Sequence, residues 1–168
     1  MYIYLITILL LLPIPLLILH RKGLQKKQER SRALELKKAF TQLSRRYKLS
    51  IDEVEIFESK IIGLDKKSNK LILIEYVGNS LRKNCIPLNE LESHRVIKDL
   101  DRIAGCINEV FLEFKFNYQK PVNFTFYDSA KDNISAFSFL RDKAKYWDAK
   151  IHFHVNSYNS NHAFEYVS

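Results

Sequence analysis

The chain has 168 residues, with 27 Lys plus Arg against 19 Asp plus Glu, a net charge of +8, and 46% hydrophobic and 27% charged side chains. That leaves room for one domain of ordinary size and something further. Four Gly and four Pro exclude collagen-like and low-complexity linker proteins, and two cysteines, Cys85 and Cys106, are too few for a disulfide scaffold or a Cys-rich zinc site.

Residues 1–19 carry no charge, and Tyr2, Tyr4 and Thr7 hold their only polar side-chain groups. A helix of that length rises about 28 Å, close to the hydrocarbon thickness of a bilayer. A cleaved signal peptide is the competing reading. Nothing basic precedes the run, however, and His20-Arg21-Lys22 stands where a small-residue cleavage site would be. The run is therefore read as a transmembrane anchor kinked at Pro13 and Pro15. Eleven basic residues follow it within 20–48 and none precedes it. The positive-inside rule then predicts a single-pass protein of an inner or plasma membrane, N-terminus outside and C-terminal domain cytoplasmic. Two unpaired-looking cysteines fit a reducing compartment. The triplets Asn123-Phe124-Thr125 and Asn133-Ile134-Ser135 point weakly the other way and are discounted as chance matches.

Segment 20–48 carries +9 and the remainder, 49–168, carries −1. Residues 24–48 contain no Gly or Pro and are built from strong helix formers. Ala33, Leu36, Phe40, Leu43 and Tyr47 form one apolar stripe on that basic juxtamembrane helix. Such a stripe can pack on the chain's own domain, lie on an anionic membrane surface, or pair in a short coiled coil.

From Ser50 onward the pattern turns to strands. Ser50-Ile51-Asp52-Glu53 has capping-box spacing but leads into β-branched residues, so it is read as a turn. Val54 to Leu64 is expected as one strand, 65–69 as a tight polar connection, and Lys70 to Val77 as a second strand ended by Gly78-Asn79. Leu81 to Ile86 is a third strand, Leu88 to Leu91 a helical turn, Ser93 to Lys98 a fourth strand and 100–105 a loop. Val110, Leu112, Phe114 and Phe116, then Val122, Phe124 and Phe126, alternate with polar or outward residues on either side of a five-residue turn, which predicts a hairpin with one buried face. Asp132 or Asn133 caps a final helix of about twenty residues. Its inward stripe is Ile134, Phe137, Leu140, Ala144, Trp147 and Ile151. The tail, 156–168, is polar and expected to be disordered.

Strands followed by one amphipathic C-terminal helix give an α+β class, a small antiparallel sheet or partly open barrel capped by that helix. The expected division is anchor 1–19, basic helix 20–48, α+β domain 49–155 and tail 156–168. The order Ile61-Ile62-Gly63-Leu64-Asp65, then Lys70-Leu71-Ile72-Leu73-Ile74, then Pro87-Leu88-Asn89-Glu90-Leu91 and the Trp147 helix resembles the pleckstrin-homology-like superfold, as in bacterial domains of the PH and GRAM type. The resemblance covers about residues 54–153. It implies seven strands, where six are counted here. It also implies basic residues around the first hairpin as contacts for anionic headgroups, which falls on Lys66, Lys67 and Lys70, with Arg82 and Lys83 after the second turn.

No glycine belongs to a phosphate-binding pattern, Cys85 and Cys106 lack a C-x-x-C partner, and His94 has no nucleophile at readable spacing. His152 and His154 share a face only in a strand. A metal reading of them would need further ligands from Asp148 or Glu165. No catalytic residue, cofactor or metal is expected, and no enzyme activity. The predicted function is a membrane-anchored binding or scaffold module that holds a protein partner at the anionic surface or senses that surface. The bilayer is contacted through residues 1–19, and anionic lipid headgroups through Arg21, Lys22, Lys26, Lys27, Arg30, Lys66, Lys67 and Lys70. Nucleic acid is not expected, because a tethered basic helix meets anionic lipid first. The alternatives are an accessory subunit of a larger membrane complex and a small membrane-tethered enzyme.

Overall fold

A computed structural model describes the backbone of residues 13–57, 59–100 and 106–163, and the side chains within these spans from Lys27 to Ser157. The expected anchor, 1–19, falls largely outside the described residues, as does most of the loop at 100–105. Among the described residues no helix is long and apolar enough to cross a membrane.

Helix α1 is continuous over Pro13–Arg46. It ends without glycine. Lys48 adopts φ 52°, while Lys48 N–H donates to Arg45 O at 3.1 Å and Leu49 N–H to Ser44 O at 2.8 Å. This pair of bonds is the Schellman arrangement with a lysine in the left-handed position, and it turns the chain back toward the sheet. Tyr47, expected on the helical stripe, lies in that turn and is exposed.

Seven strands follow, in two antiparallel sheets with no closed barrel among the described residues. The first has order β1 (Glu53–Phe57), β2 (Lys60–Asp65), β3 (Lys70–Val77) and β4 (Ser80–Pro87). A 3-10 turn at Leu88–Glu90 leads to the second sheet, β5 (Leu91–Leu100), β6 (Ile107–Phe116) and β7 (Val122–Asp128). The single strand expected over 54–64 is a hairpin instead, pairing Val54 with Gly63 and Ile56 with Ile61. Even-numbered 54 and 56 share a face with odd-numbered 61 and 63, a change of parity that a regular uninterrupted strand does not make. The seventh strand that the resemblance implied is thereby present.

Between the sheets lies the main core: Ile62, Leu64, Leu71, Leu73, Ile86, Val110, Leu112, Phe114, Phe124, Phe126 and Tyr127 are all buried. Helix α2 (Phe137–Ala163) closes it with Leu140, Ala144, Trp147 and Ile151. Ile134 departs from the expected stripe. It sits in a 3-10 turn, 76% exposed, where Asn133 Oδ1 accepts from Ser135 N–H at 3.0 Å. Helix α2 also outruns the boundary expected at 155, because residues 156–163 are helical rather than disordered. Residues 164–168 lie outside the described residues.

A second, smaller core covers the outer face of the first sheet. Leu36 and Ala39 of α1 are buried against Ile61, Ile72 and Ile74, with Phe40, Leu43, Tyr76 and Leu81 around them. The stripe of α1 is therefore committed to the chain's own sheet and is not free for a coiled coil.

Candidate functional site: a β1–α2 groove and a divided basic surface

Contacts along α1 fix its direction. Arg32 donates to Asn79 Oδ1 at 2.9 Å, Glu35 accepts from the Tyr76 hydroxyl at 2.5 Å, Phe40 lies against Gly63, and Tyr47 stacks under Lys70 with the ammonium 5.6 Å from the ring centre. Rising helix numbers thus meet falling β3 numbers, and the helix runs antiparallel to β3. The N-terminal half of α1 leaves the domain past the β3–β4 turn. The β2–β3 turn, with Lys66 and Lys67, is at the opposite end.

That geometry divides the eight residues expected to meet lipid. Arg21, Lys22, Lys26, Lys27 and Arg30 lie on the departing part of α1, with Lys27 and Arg30 exposed. Lys66, Lys67 and Lys70 lie at the other end of β3. Lys66 Nζ is 2.9 Å from Glu53, Lys67 is exposed, and Lys70 belongs to the Tyr47 stack. The structure does not bring the two sets together.

At the β3–β4 end, side chains rather than backbone bonds close the seam between the sheets. Lys60 Nζ donates to Phe126 O at 2.8 Å, and Glu75 Oε2 accepts from Thr125 N–H at 3.3 Å. Both side chains are buried. Burial holds the Lys60 ammonium below its ordinary pKa against the pull of Asp132, and burial raises the Glu75 carboxyl although Arg82 pairs with it at 2.6 Å. A cavity of about 250 Å³ opens here beside Asn123, Asp128, Lys131 and Asp132. Its cations are already matched: Arg82 to Glu75, Lys131 to Asp128, and Lys60 to Phe126 O with Asp132 3.9 Å away. An anionic headgroup would have to break these pairs.

A groove opens along β1. Strand β1 has a neighbour on one side, β2, and α2 runs beyond its other edge. Between them lie three adjoining hollows of about 520, 500 and 390 Å³. Their α2 wall is a second stripe: Phe139, Tyr146 and Phe153, spaced by seven and 59%, 50% and 75% exposed, with Lys143 and Lys150 interleaved. Lys143 Nζ lies 2.5 Å from Glu55, Lys150 pairs with Glu53, and Trp147 Nε1 donates to Glu55 at 2.7 Å. These contacts hold α2 to the β1 hairpin beside the open hollows, whose lining mixes the aromatic rings with charged side chains. Sequence reasoning found the inward stripe of α2 and missed this one. Aromatic residues at a period of seven with lysines between them were the available signal.

The residues weighed for chemistry are scattered. His94 Nδ1 bonds Asp148 Oδ1 at 2.8 Å and its ring lies 6.0 Å from that of His152. His154 faces Asp52 and Lys66 instead, so the two rings of the H-x-H pair diverge, and burial lowers its pKa. Cys85 is on β4, with burial raising its thiol, and is not brought to His94. Among the described residues no cluster of three or more His, Cys, Asp or Glu could hold a metal ion.

No protein-family model matches this sequence, and no curated protein does. Among solved structures, the chain is similar to a pleckstrin homology domain from Shewanella amazonensis SB2B, at 14% identity and a TM-score of 0.36, over 65% of this chain and 96% of that one.

Proposed function

We propose that this chain is a membrane-anchored binding module whose α+β domain, pleckstrin-homology-like in element order, holds a protein partner in the β1–α2 groove. Residues 1–19 anchor it, with the domain on the cytoplasmic side. The cations of the departing α1 segment, Arg21, Lys22, Lys26, Lys27 and Arg30, meet anionic headgroups, each contributing about 1 kcal/mol near such a surface. The carrying observation is the open edge of β1 beside three exposed aromatic rings. An extended segment of the partner adds to that edge, and its apolar side chains fill the hollows against Phe139, Tyr146 and Phe153.

The test is photocrosslinking from intact membranes. A photoreactive phenylalanine replaces Phe139 or Tyr146, or as a control Tyr118, which is 99% exposed in the β6–β7 turn. Adducts of one discrete mass at 139 and 146, absent at 118, are expected. Equal labelling at all three positions, or release of the chain from membranes by an alkaline wash, refutes the reading.

A further inference from the structure

We infer that the end of the domain opposite the departing helix is a second docking surface, built for a carboxylate-rich segment of a protein. Arg46 and Lys70 meet there at Tyr47, with Arg45 and Lys48 next to them in the chain and Lys67 in the adjoining β2–β3 turn. Arg46 and Lys70 hold their cations 5.8 and 5.6 Å from the Tyr47 ring centre. The two chain segments are tied together by Ser50 N–H, which donates to Asp65 Oδ2 at 2.7 Å. Among the described residues none of these five cations lies within ion-pair distance of a carboxylate. The neighbouring acids are already engaged: Asp65 with Ser50 and Ser68, Asp52 with the Lys66 N–H, and Glu53 with Lys66 and Lys150. The patch is thus uncompensated and held on fixed backbone. Arg45 and Arg46 end α1, Lys48 sits in the turn that follows, Lys70 starts β3 and Lys67 lies in the β2–β3 turn.

Orientation argues against lipid as the occupant, and this step rests on the anchored reading above. The length of β3 puts about 23 Å between this end and the β3–β4 turn. The helix upstream of Arg32 adds about 20 Å before residue 19 is reached. The sum is several Debye lengths of about 8 Å, so headgroups at the anchor are screened from these cations. Single-stranded nucleic acid would call for open aromatic faces on which bases stack. The one aromatic ring present has cations over it. Carboxylates suit the patch: two adjacent arginines offer forked donors, with three lysines flanking them.

The experiment uses the full chain in neutral-lipid nanodiscs and a fluorescent oligoglutamate peptide, at low and high salt. Binding that weakens with salt is expected. Arg45→Glu/Arg46→Glu/Lys67→Glu/Lys70→Glu should weaken it roughly tenfold or more, since several exposed pairs of modest strength are each reversed. Lys27→Glu/Arg30→Glu, on the same helix at the other end, and Phe139→Glu, in the groove, should leave it unchanged. Retained Trp147 fluorescence shows that each variant is folded. Equal losses from the Lys27/Arg30 variant would mean net charge alone and would overturn the proposal. So would undiminished binding by the four-residue variant. Tighter binding of an oligouridylate of matched charge, or loss of phosphatidylserine-vesicle binding specific to the four-residue variant, would reassign the surface to nucleic acid or lipid. Because Phe139→Glu is read separately, failure of this patch and failure of the groove are distinguishable.

Discussion

Gly63→Ala tests the contact on which the orientation of the domain depends. Gly63 lies on the outer face of β2, where Phe40 of α1 comes down onto the sheet. A Cβ there would stand 2.9 Å from Phe40 Cε2, 3.3 Å from Cζ and 3.5 Å from Glu53 O. Carbon atoms pack best at about 3.5–4.0 Å, so the ring must retreat by roughly 0.6 Å or more. Phe40 is half-buried and can swing, but Leu36 and Ala39 on the same face are buried and cannot follow freely. Overpacking of this kind costs about 1–3 kcal/mol, and the mobile ring puts the expectation near the lower bound. Phe40→Ala alone removes a partly buried ring and should cost about 2 kcal/mol. In the double variant the new methyl enters space the ring has vacated. The two changes should therefore be less than additive by about 1 kcal/mol. Urea denaturation of the full chain, followed through Trp147, measures all three variants. Gly63→Ala without effect, or strictly additive costs, would mean that α1 does not rest on β2. The two ends of the domain would then lose their fixed relation to α1.

Acid stability follows from Asp65. Burial works to raise its pKa, but the N–H donors of Ser68, Ser50 and Lys67 outweigh burial and hold the carboxyl below the usual range. A depressed carboxyl contributes stability that is present above its unfolded pKa and lost as the pH falls through the folded one. The wild type should lose stability below about pH 4 more steeply than Asp65→Asn, which should be weaker at neutral pH by about 1–2 kcal/mol. Parallel pH profiles would remove Asp65 from that role. Glu55→Ala strands the buried Trp147 N–H and should cost about 1–3 kcal/mol with a shift of tryptophan emission, whereas Glu55→Gln, which keeps an acceptor, should cost less than half as much. Equal costs would mean that the carboxylate's ion pair with Lys143, not the indole bond, matters.

Strand β3 shows why so much of the fold was legible. Leu71, Ile72, Leu73 and Ile74 form an unbroken apolar run, and all four are buried. A strand covered on one face alternates, while a strand covered on both does not. The run therefore asked for a second cover, and the stripe Ala33, Leu36, Phe40, Leu43 was the apolar surface available to supply it. The β6–β7 hairpin was readable for the complementary reason: its alternation is clean because one face stays outside. The β1–β2 turn was missed because no Gly, Pro or Asn marks it and only a parity change betrays it. The end of α1 was missed because a lysine takes the left-handed position that sequence patterns reserve for glycine. The aromatic wall of the groove was missed for a different reason. A stripe of Phe, Tyr and Lys on α2 competes with a stronger inward stripe on the same helix, and periodicity alone selects the stronger.

The +9 carried by residues 20–48 looks like one electrostatic feature in the sequence and is not one in the fold. Once α1 lays its stripe on β2 and β3, the helix is divided at about Arg32. Upstream of it, Lys27 and Arg30 are exposed. Downstream cations, from Lys37 to Lys48, are carried on the domain's outer surface beside Lys67 and Lys70. A helix needed only to meet headgroups would concentrate its charge next to the apolar run, because the attraction fades within about one Debye length. Five of the eleven basic residues of 20–48 lie instead from Lys37 onward, alongside or beyond β3. Arg45, Arg46 and Lys48 are placed at the far end of α1 from the apolar run, where Lys67 and Lys70 add two more cations. On the anchored reading proposed above, attraction to a bilayer does not account for charge placed there, whereas the proposed carboxylate-rich segment does.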